Sequence, residues 1–192
     1  MQQLVLASSS TFRQDLLKRL GLQFEVANPD IDESAPAGES PAATATRLAR
    51  EKAERVAHRF STALIIGSDQ VAVCDGQRIG KPGNHGNAVR QLQMMRGKNV
   101  EFFTALCLLN AKTADLQCAL ATNIVTFRDL SDDEIERYLT REEPYGCAGS
   151  AKTEGLGIAL IARLQGDDPN ALIGLPLIEL VTMLKRAGIR IP

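Results

Sequence analysis

The stretch Leu4-Val5-Leu6-Ala7-Ser8-Ser9-Ser10 decides how this chain begins to fold. Its four apolar residues predict a buried strand, and the serines predict a turn. Apolar side chains then recur at helical spacing and stop at a glycine: Phe12, Leu16, Leu17, Leu20, Gly21. A turn that leads from a strand into a helix N-terminus gathers backbone N–H groups and hydroxyls at one point, which suits a phosphate. An ordinary helix cap is the alternative interpretation of these serines.

Strands and helices alternate along the rest of the chain. The patterns predict further strands over residues 22–26, 63–66 with an extension at 71–74, 100–109, 118–127 and 158–162. They predict helices over residues 41–60, 84–95 and 173–187, and one that begins with the capping box of Ser131 and Glu134. We therefore expect an α/β protein with a mixed twisted sheet, folded as a single domain over residues 1–192 with two lobes.

Composition and charge exclude several classes of protein. The chain has 192 residues, with 22 Lys and Arg against 23 Asp and Glu. This balance gives no broad basic surface, so long nucleic acid is not an expected partner. No apolar run approaches the roughly 20 residues that span a bilayer, and the N-terminal residues do not resemble a signal peptide. The four cysteines are widely spaced and form no C-x-x-C pair, which favours the cytoplasm and a core that needs no disulfide.

Two basic residues lie on the predicted apolar faces of helices. Arg13 shares a face with Leu16 and Leu17, so its guanidinium is directed inward, although a surface arginine is the plainer alternative. Lys52 lies four residues from both Leu48 and Val56, within an apolar stripe. Its ammonium must either extend to water, the commoner outcome, or meet an anion, because burying it unpaired is costly.

Asp69 is the strongest catalytic candidate. It directly follows the predicted strand 63–66, at the carboxyl end where α/β proteins place groups that contact ligands. A carboxylate there can coordinate Mg²⁺ or accept a proton from water, and capping a turn is its plain structural role. Glu33, in an acidic loop, could supply a second carboxylate, while Lys81 beside Pro82 is uninformative by itself.

In combination, these segments resemble the Maf family of nucleoside triphosphate pyrophosphatases. The resemblance covers nearly the whole chain and rests on an ordered set of motifs: Leu6 to Arg13, Ile31-Asp32-Glu33, Leu48 to Ala53, Gly67-Ser68-Asp69-Gln70, Gly80-Lys81-Pro82 and Gly149 to Gly155. It implies an elongated, two-lobed fold with a central cleft, related to inosine triphosphatase. It also implies release of pyrophosphate from a nucleoside triphosphate, with Mg²⁺ or Mn²⁺ as cofactor, and a homodimer.

The resemblance also assigns roles to individual residues. Asp69 resembles the family's catalytic acid, and Glu33 resembles the residue that holds the metal with it. Four residues resemble the family's triphosphate-binding set: Ser8, Arg13, Lys52 and Lys81.

Three positions bear on which base is held: Phe12, Gln70 and Glu154. Together they resemble the subfamily that hydrolyses 7-methyl-GTP, whereas members acting on dTTP or UTP usually carry a second basic residue at the position of Phe12 and Gln at that of Glu154. An aromatic ring can stack on the cationic 7-methylguanine, and a carboxylate can accept its N1–H and exocyclic amine. Phe12 could equally be a core residue of the first helix.

Two other functions remain open from the sequence. One is hydrolysis of dTTP and UTP by the same chemistry. The other is a nucleotide-binding regulator of septum formation with little turnover. A panel of nucleotide substrates separates all three hypotheses.

Overall fold

The computed structural model of the chain describes residues 2–191, and their strands and helices confirm a mixed α/β fold. The strands are β1 Leu4–Ala7, β2 Glu25–Ala27, β3 Leu64–Cys74, β4 Gln77–Ile79, β5 Asn99–Asn110, β6 Asp115–Phe127 and β7 Ile161–Gln165. The helices are α1 Thr11–Lys18, α2 Pro41–Ala57, α3 His85–Met95, α4 Asp132–Glu142, α5 Pro169–Ile173 and α6 Leu177–Arg186. The strand order is β2-β1-β3-β5-β6-β7, with β4 paired to β3.

The chain divides into two compact units. The first unit contains Met1–Gln70, Thr104–Ala121 and Asp168–Pro192, and the second unit contains Val71–Phe103 and Thr122–Asp167. Strands β3, β5 and β6 each contribute residues to both units.

In the first unit, β1 pairs in parallel with β2 on one side and β3 on the other. All four residues of β1 are buried, because helices cover both of its faces. Leu4 and Leu6 pack in one apolar cluster with α1 and α6. Val5 and Ala7 pack in another with α2. The opening stretch therefore forms the predicted buried strand, and period-two alternation distributes its side chains between two layers.

In the second unit, the C-terminal part of β3 pairs antiparallel with β4, and β6 pairs antiparallel with β7. Asp75 and Gly76 join β3 to β4 and both have positive φ, as a tight hairpin turn requires. Ser131 and Glu134 form the predicted capping box at the start of α4.

Some predicted boundaries were wrong. The strand expected at residues 22–26 is β2, Glu25–Ala27, and the strand expected at 158–162 is β7, Ile161–Gln165. The closing helix predicted over 173–187 is α6, Leu177–Arg186, so its predicted start was four residues too early, and a separate short helix, α5, ends at Ile173 before it. Pro176 is the N-cap of α6, and Gly174 has a φ of 126°, a conformation that continues no helix.

Two of the cysteines also differ from expectation. Cys107 on β5 and Cys118 on β6 form a disulfide within the first unit. Their wide separation in sequence concealed this pairing, because an antiparallel hairpin brings distant residues opposite each other. Cys74 and Cys147 are free thiols.

Among the described residues, no helix combines the length and the apolar character needed to cross a bilayer.

Candidate active site

Strand β3 directs alternate side chains to opposite layers of the first unit, and this alternation builds the site. Leu64 and Ile66 belong to the cluster that includes α1 and α6, while Ile65 belongs to the cluster that includes α2. The same period sends Gly67 and Asp69 toward α2 and sends Ser68 and Gln70 to the other layer. Of the four residues Gly67 to Gln70, the first and third therefore contact α2, and the second and fourth contact the segment around α5.

Asp69 lies within β3 and not after its end, so the prediction of a residue directly following the strand was wrong. The reason is that β3 continues beyond β1. The last pair of the parallel register joins Ala7 to Gly67, and β3 then runs on to Cys74. Asp69 is thus at the carboxyl end of β1, next to the turn that begins at Ser8, although it is inside its own strand.

Lys52 of α2 lies between two carboxylates. Its Nζ is 2.6 Å from Oδ1 of Asp69 and 2.6 Å from Oε1 of Glu33. Only 5% of the Lys52 side chain and 10% of the Asp69 side chain are exposed, against 61% for Glu33. Of the two outcomes considered for a lysine in the apolar stripe, the structure shows the less common one, an ammonium buried against anions.

Gly67 makes this contact possible, since α2 packs directly on the backbone of β3. A Cβ atom added at Gly67 would lie 2.1 Å from the carbonyl oxygen of Ala49 and 3.0 Å from the amide nitrogen of Ala53. No real Cβ atom tolerates the first distance, so only glycine lets the helix approach closely enough for Lys52 to reach Asp69.

The surroundings of Asp69 change its acidity. Burial raises the pKa of the Asp69 carboxyl above its usual value, and Glu33 adds to the rise, while Lys52 and Arg13 oppose it. A carboxylate with a raised pKa holds a proton more strongly and is a better acceptor of a proton from water.

Ser8 and Arg13 lie beside the end of β1, where the opening turn leads into α1. Ser10 is the N-cap of α1 and accepts a hydrogen bond from the Arg13 amide, whereas Ser8 is 3% exposed and accepts one from the Ser10 amide. The Arg13 Nη1 is 3.5 Å from the Ser8 hydroxyl, and its Nε donates to the carbonyl of Gly174 at 2.8 Å. Burial lowers the pKa of the Arg13 guanidinium, and the charges of Asp69 and Glu33 counteract this.

The segment from Asp168 to Gly174 anchors Arg13, and the sequence did not identify it. The buried Asp168 carboxylate accepts from the amide of Asn170 within the segment and from the amide of Ile178 in α6, which ties the start of the segment to the following helix. The Gly174 carbonyl also accepts from the hydroxyl of Ser68. The only available signal was Gly174 and Pro176 interrupting a helical pattern, and it gave no indication of an arginine partner 161 residues away.

Gln70 also binds the segment from Asp168 to Gly174. Its Nε2 donates toward Oγ1 of Thr104 at 2.9 Å and the carbonyls of Ala171 and Leu172 at 3.0 Å each. The hydroxyl of Thr104 donates to the Ala171 carbonyl as well. Gln70 therefore has an evident structural task in the first unit, and its influence on base choice stays a prediction. Phe12, half-buried near the start of α1, is likewise a predicted base contact.

Lys81 and Glu154 are exposed residues of the second unit. Lys81 lies in the loop between β4 and α3. That loop is held at both sides, since Gln91 donates to the Gly80 carbonyl at 3.0 Å and the Gly83 amide donates to the Tyr145 carbonyl at 3.0 Å. Glu154 lies in the loop after α4. Their contacts with a nucleotide stay predictions.

Glu33 and Asp69 fit a divalent metal that also binds substrate. Both offer carboxylate oxygens, the donors that Mg²⁺ and Mn²⁺ prefer, and both contact the same ammonium, so they are neighbours. Within residues 2–191, no group of three His, Cys, Asp or Glu side chains is arranged to hold a metal alone. Mg²⁺ commonly binds one or two carboxylates and completes its coordination with substrate phosphates and water. The donor set suits that mode better than a protein cage.

Comparisons with known proteins agree on one family. The sequence model of the family described as "Maf-like protein" matches residues 3–187. The protein named 7-methyl-GTP pyrophosphatase from Methylobacillus flagellatus is 59% identical over 189 residues, which is 98% of this chain and 98% of that protein. The protein of the same name from Cupriavidus metallidurans is 58% identical over 185 residues, 96% of this chain and 93% of that one.

Among solved structures, the Ham1 protein of Staphylococcus aureus aligns with a TM-score of 0.47 and 15% identity. The alignment covers 67% of this chain and 73% of that one.

Proposed function

Because the chain belongs to the Maf family, we propose that it hydrolyses 7-methyl-GTP to 7-methyl-GMP and pyrophosphate, which removes a modified nucleotide from the pool. One observation carries the choice of substrate. Relatives that share 59% and 58% of their residues with this chain, along nearly its whole length, bear the name 7-methyl-GTP pyrophosphatase. The geometry of the first unit supports the choice of reaction.

The first unit offers charges of both signs, as cleavage of a polyphosphate requires. The carboxylates of Glu33 and Asp69 would hold Mg²⁺ or Mn²⁺, which would neutralise phosphate charge and orient the substrate. Lys52 and Arg13 add two cations, and Ser8 adds a hydroxyl beside the helix N-terminus. A triphosphate carries close to four negative charges, so several cations around it stabilise both its binding and the charge that develops during transfer.

In the proposed reaction, Asp69 would take the proton. A water molecule attacks the α-phosphorus, the new P–O bond forms, and the bond to the bridging oxygen of the β-phosphate breaks, so pyrophosphate leaves. The Asp69 carboxylate accepts the proton from the attacking water, and burial favours this by raising its pKa. Lys52, 2.6 Å from Asp69, holds the carboxylate in place and balances its charge before substrate arrives.

Recognition of the base would depend on Phe12 and Glu154. The ring of Phe12 would stack on the positively charged 7-methylguanine, an attraction worth about 0.5 to 2 kcal/mol. The carboxylate of Glu154 would accept two N–H groups that uracil and thymine do not present as a pair, and its charge favours a cationic base.

Steady-state kinetics of the wild-type protein test this function. Pyrophosphate release is measured with Mg²⁺ for 7-methyl-GTP, GTP, UTP and dTTP at matched concentrations. We expect kcat/KM for 7-methyl-GTP to exceed that for the other three by at least about tenfold. A preference for UTP or dTTP would assign the chain to the other substrate class, and binding without turnover would make it a sensor.

A further inference from the structure

The loop that carries Glu154 closes on itself. The carbonyl of Lys152 accepts hydrogen bonds from the amides of Gly155 and Gly157, both at 3.0 Å. Glu154 is exposed and lies inside the turn that both bonds close. These internal bonds fix the shape of the loop. Its orientation in the second unit depends on contacts with other elements.

Helix α4 supplies that outside support through two side chains on one face. Glu142 accepts from the Lys152 ammonium with Oε1 and from the Leu156 amide with Oε2, each at 2.7 Å. Tyr138, one turn earlier, accepts from the Lys152 amide at 3.0 Å. Glu142 therefore binds the loop on both sides of Glu154. Tyr138 binds the same loop because residues four apart lie on one face of a helix.

Two glycines of the loop are closely approached, one by the Glu142 carboxylate and the other by the backbone of Lys152. A Cβ atom added at Gly155 would lie 2.7 Å from Oε2 of Glu142, and one added at Gly157 would lie 2.6 Å from the Lys152 backbone. The Glu142 side chain is only 11% exposed, and its bonds to Lys152 and Leu156 lower its pKa, so it stays an anion at neutral pH. Two glycines, a half-buried carboxylate and a tyrosine hydroxyl thus define one loop conformation.

We propose that Glu142 is a positioning residue that sets base selectivity by holding the Glu154 loop against α4. The inference rests on the proposed function, because it takes Glu154 as the residue that reads the base. Glu142 and Tyr138 belong to the second unit, whereas Asp69 and Lys52, the groups proposed for the reaction, belong to the first. Loss of Glu142 therefore alters discrimination between bases more than it alters the phosphate chemistry.

The test compares wild type, Glu142→Gln and Asp133→Asn. Glutamine keeps the size of Glu142 but has one acceptor oxygen instead of two, so one of the hydrogen bonds from Lys152 and Leu156 is lost. Asp133 also lies on α4, in an exposed ion pair with Arg137 that does not touch the loop, and its variant is the matched control. The readouts are the ratio of kcat/KM for 7-methyl-GTP to that for UTP, which lacks the paired N–H groups that Glu154 would accept, and hydrogen exchange of the amides of residues 152–157.

We expect Glu142→Gln to lower the ratio about tenfold and to speed exchange at the Leu156 amide, and Asp133→Asn to change neither. Tyr138→Phe, which removes the second anchor, lowers the ratio about threefold and keeps the inference testable if Glu142→Gln does not fold. An unchanged ratio in a folded Glu142→Gln, or an equal loss for both nucleotides, overturns the inference.

The wild-type ratio separates this outcome from failure of the proposed function. If wild type shows no preference for 7-methyl-GTP, the function itself is wrong and the selectivity role fails with it. The exchange data then still show whether Glu142 holds the loop. If wild type prefers 7-methyl-GTP and a folded Glu142→Gln keeps the wild-type ratio, the function stands and the positioning role fails.

Discussion

The ion cluster of Lys52, Asp69 and Glu33 and the loop of Glu154 are held in place in different ways. Lys52 and Asp69 project from a helix and a strand packed together in the core of the first unit, and at most a tenth of either side chain is exposed. Glu154 is exposed on a loop of the second unit, which a few side-chain hydrogen bonds orient. The groups proposed for the reaction are therefore held by core packing, whereas the group proposed for base selectivity is held by local contacts.

The largest effect should come from closing the space between α2 and β3. In Gly67→Ala the new methyl would lie 2.1 Å from the Ala49 carbonyl, so the helix must shift. We expect a loss of about 5 kcal/mol in the free energy of unfolding, together with loss of turnover. Urea denaturation measures the first and pyrophosphate release the second.

Gly86→Ala is the matched control for that variant. Gly86 lies in α3, and an added Cβ would meet its nearest neighbours at 3.8 and 3.9 Å, which is ordinary contact. Alanine there should stabilise the protein by about 0.5 kcal/mol. Equal stability of the two alanine variants would contradict the close packing of α2 on β3.

Next in size is removal of the buried ammonium. Lys52→Met keeps most of the apolar stem but leaves the Asp69 carboxylate buried without its partner. We expect a loss of about 3 kcal/mol in unfolding free energy and a fall of about a hundredfold or more in kcat/KM. Lys18→Met, which breaks an exposed pair with Asp15, should change stability by less than about 0.5 kcal/mol. A Lys52→Met protein as stable and active as Lys18→Met would show that the buried cluster has no special role.

Substitution of Glu154 should have a smaller effect than substitution of Lys52, and the effect should be limited to the choice of base. Glu154→Gln removes the carboxylate that would accept two N–H groups of guanine, so kcat/KM for 7-methyl-GTP should fall about ten- to a hundredfold while stability is unchanged. Steady-state kinetics with 7-methyl-GTP and UTP provide the measurement. Glu101→Gln, an exposed residue of β5 in the same unit, is the control. If UTP hydrolysis falls equally, Glu154 does not read the base.

The smallest effect concerns a thiol near the same loop. Burial raises the pKa of Cys147 to about 11, and the charges of Glu154 and Glu142 add to the rise, while Lys152 and Lys81 oppose it. Alkylation requires the thiolate, so labelling of Cys147 should be slow at pH 8 and should increase with pH up to about 11.

Glu154→Gln removes one negative neighbour and should lower the pKa of Cys147, which would raise its labelling rate at pH 8 about twofold. Mass spectrometry of the labelled peptides distinguishes Cys147 from Cys74. Rapid labelling of wild type at pH 8, or no change in the variant, would show that the loop does not create this environment.

Features that depend on local sequence period could be predicted from the sequence. The apolar run of β1 depends on local period and correctly indicated the buried strand. The position of Lys52 in its stripe left open whether the ammonium reaches water or meets an anion, and the structure shows that it meets two carboxylates. Period alone could not show that residues 67–70 join the predicted strand to its extension, because the continuity of β3 depends on its place between β1 and β5 in the sheet.

Contacts between distant residues were beyond sequence reasoning. Arg13 is anchored by the Gly174 carbonyl, and Cys107 is joined to Cys118, through chain geometry that no local pattern encodes. The hydrogen bonds of Glu142 with Lys152 and Leu156 could not be predicted either, because a glutamate near the end of a surface helix is common and does not indicate its partners. These contacts were found only once the backbone had placed the partners together.

Turnover by Asp69→Asn tests the central claim most directly. Asparagine keeps the shape of the side chain and can still accept a hydrogen bond from Lys52, but it cannot take a proton from water. At saturating 7-methyl-GTP with Mg²⁺, the account predicts a folded protein whose kcat is lower by about 10²- to 10⁴-fold. A kcat within about threefold of wild type would contradict it, because hydrolysis would then not depend on the carboxylate at the centre of the cluster.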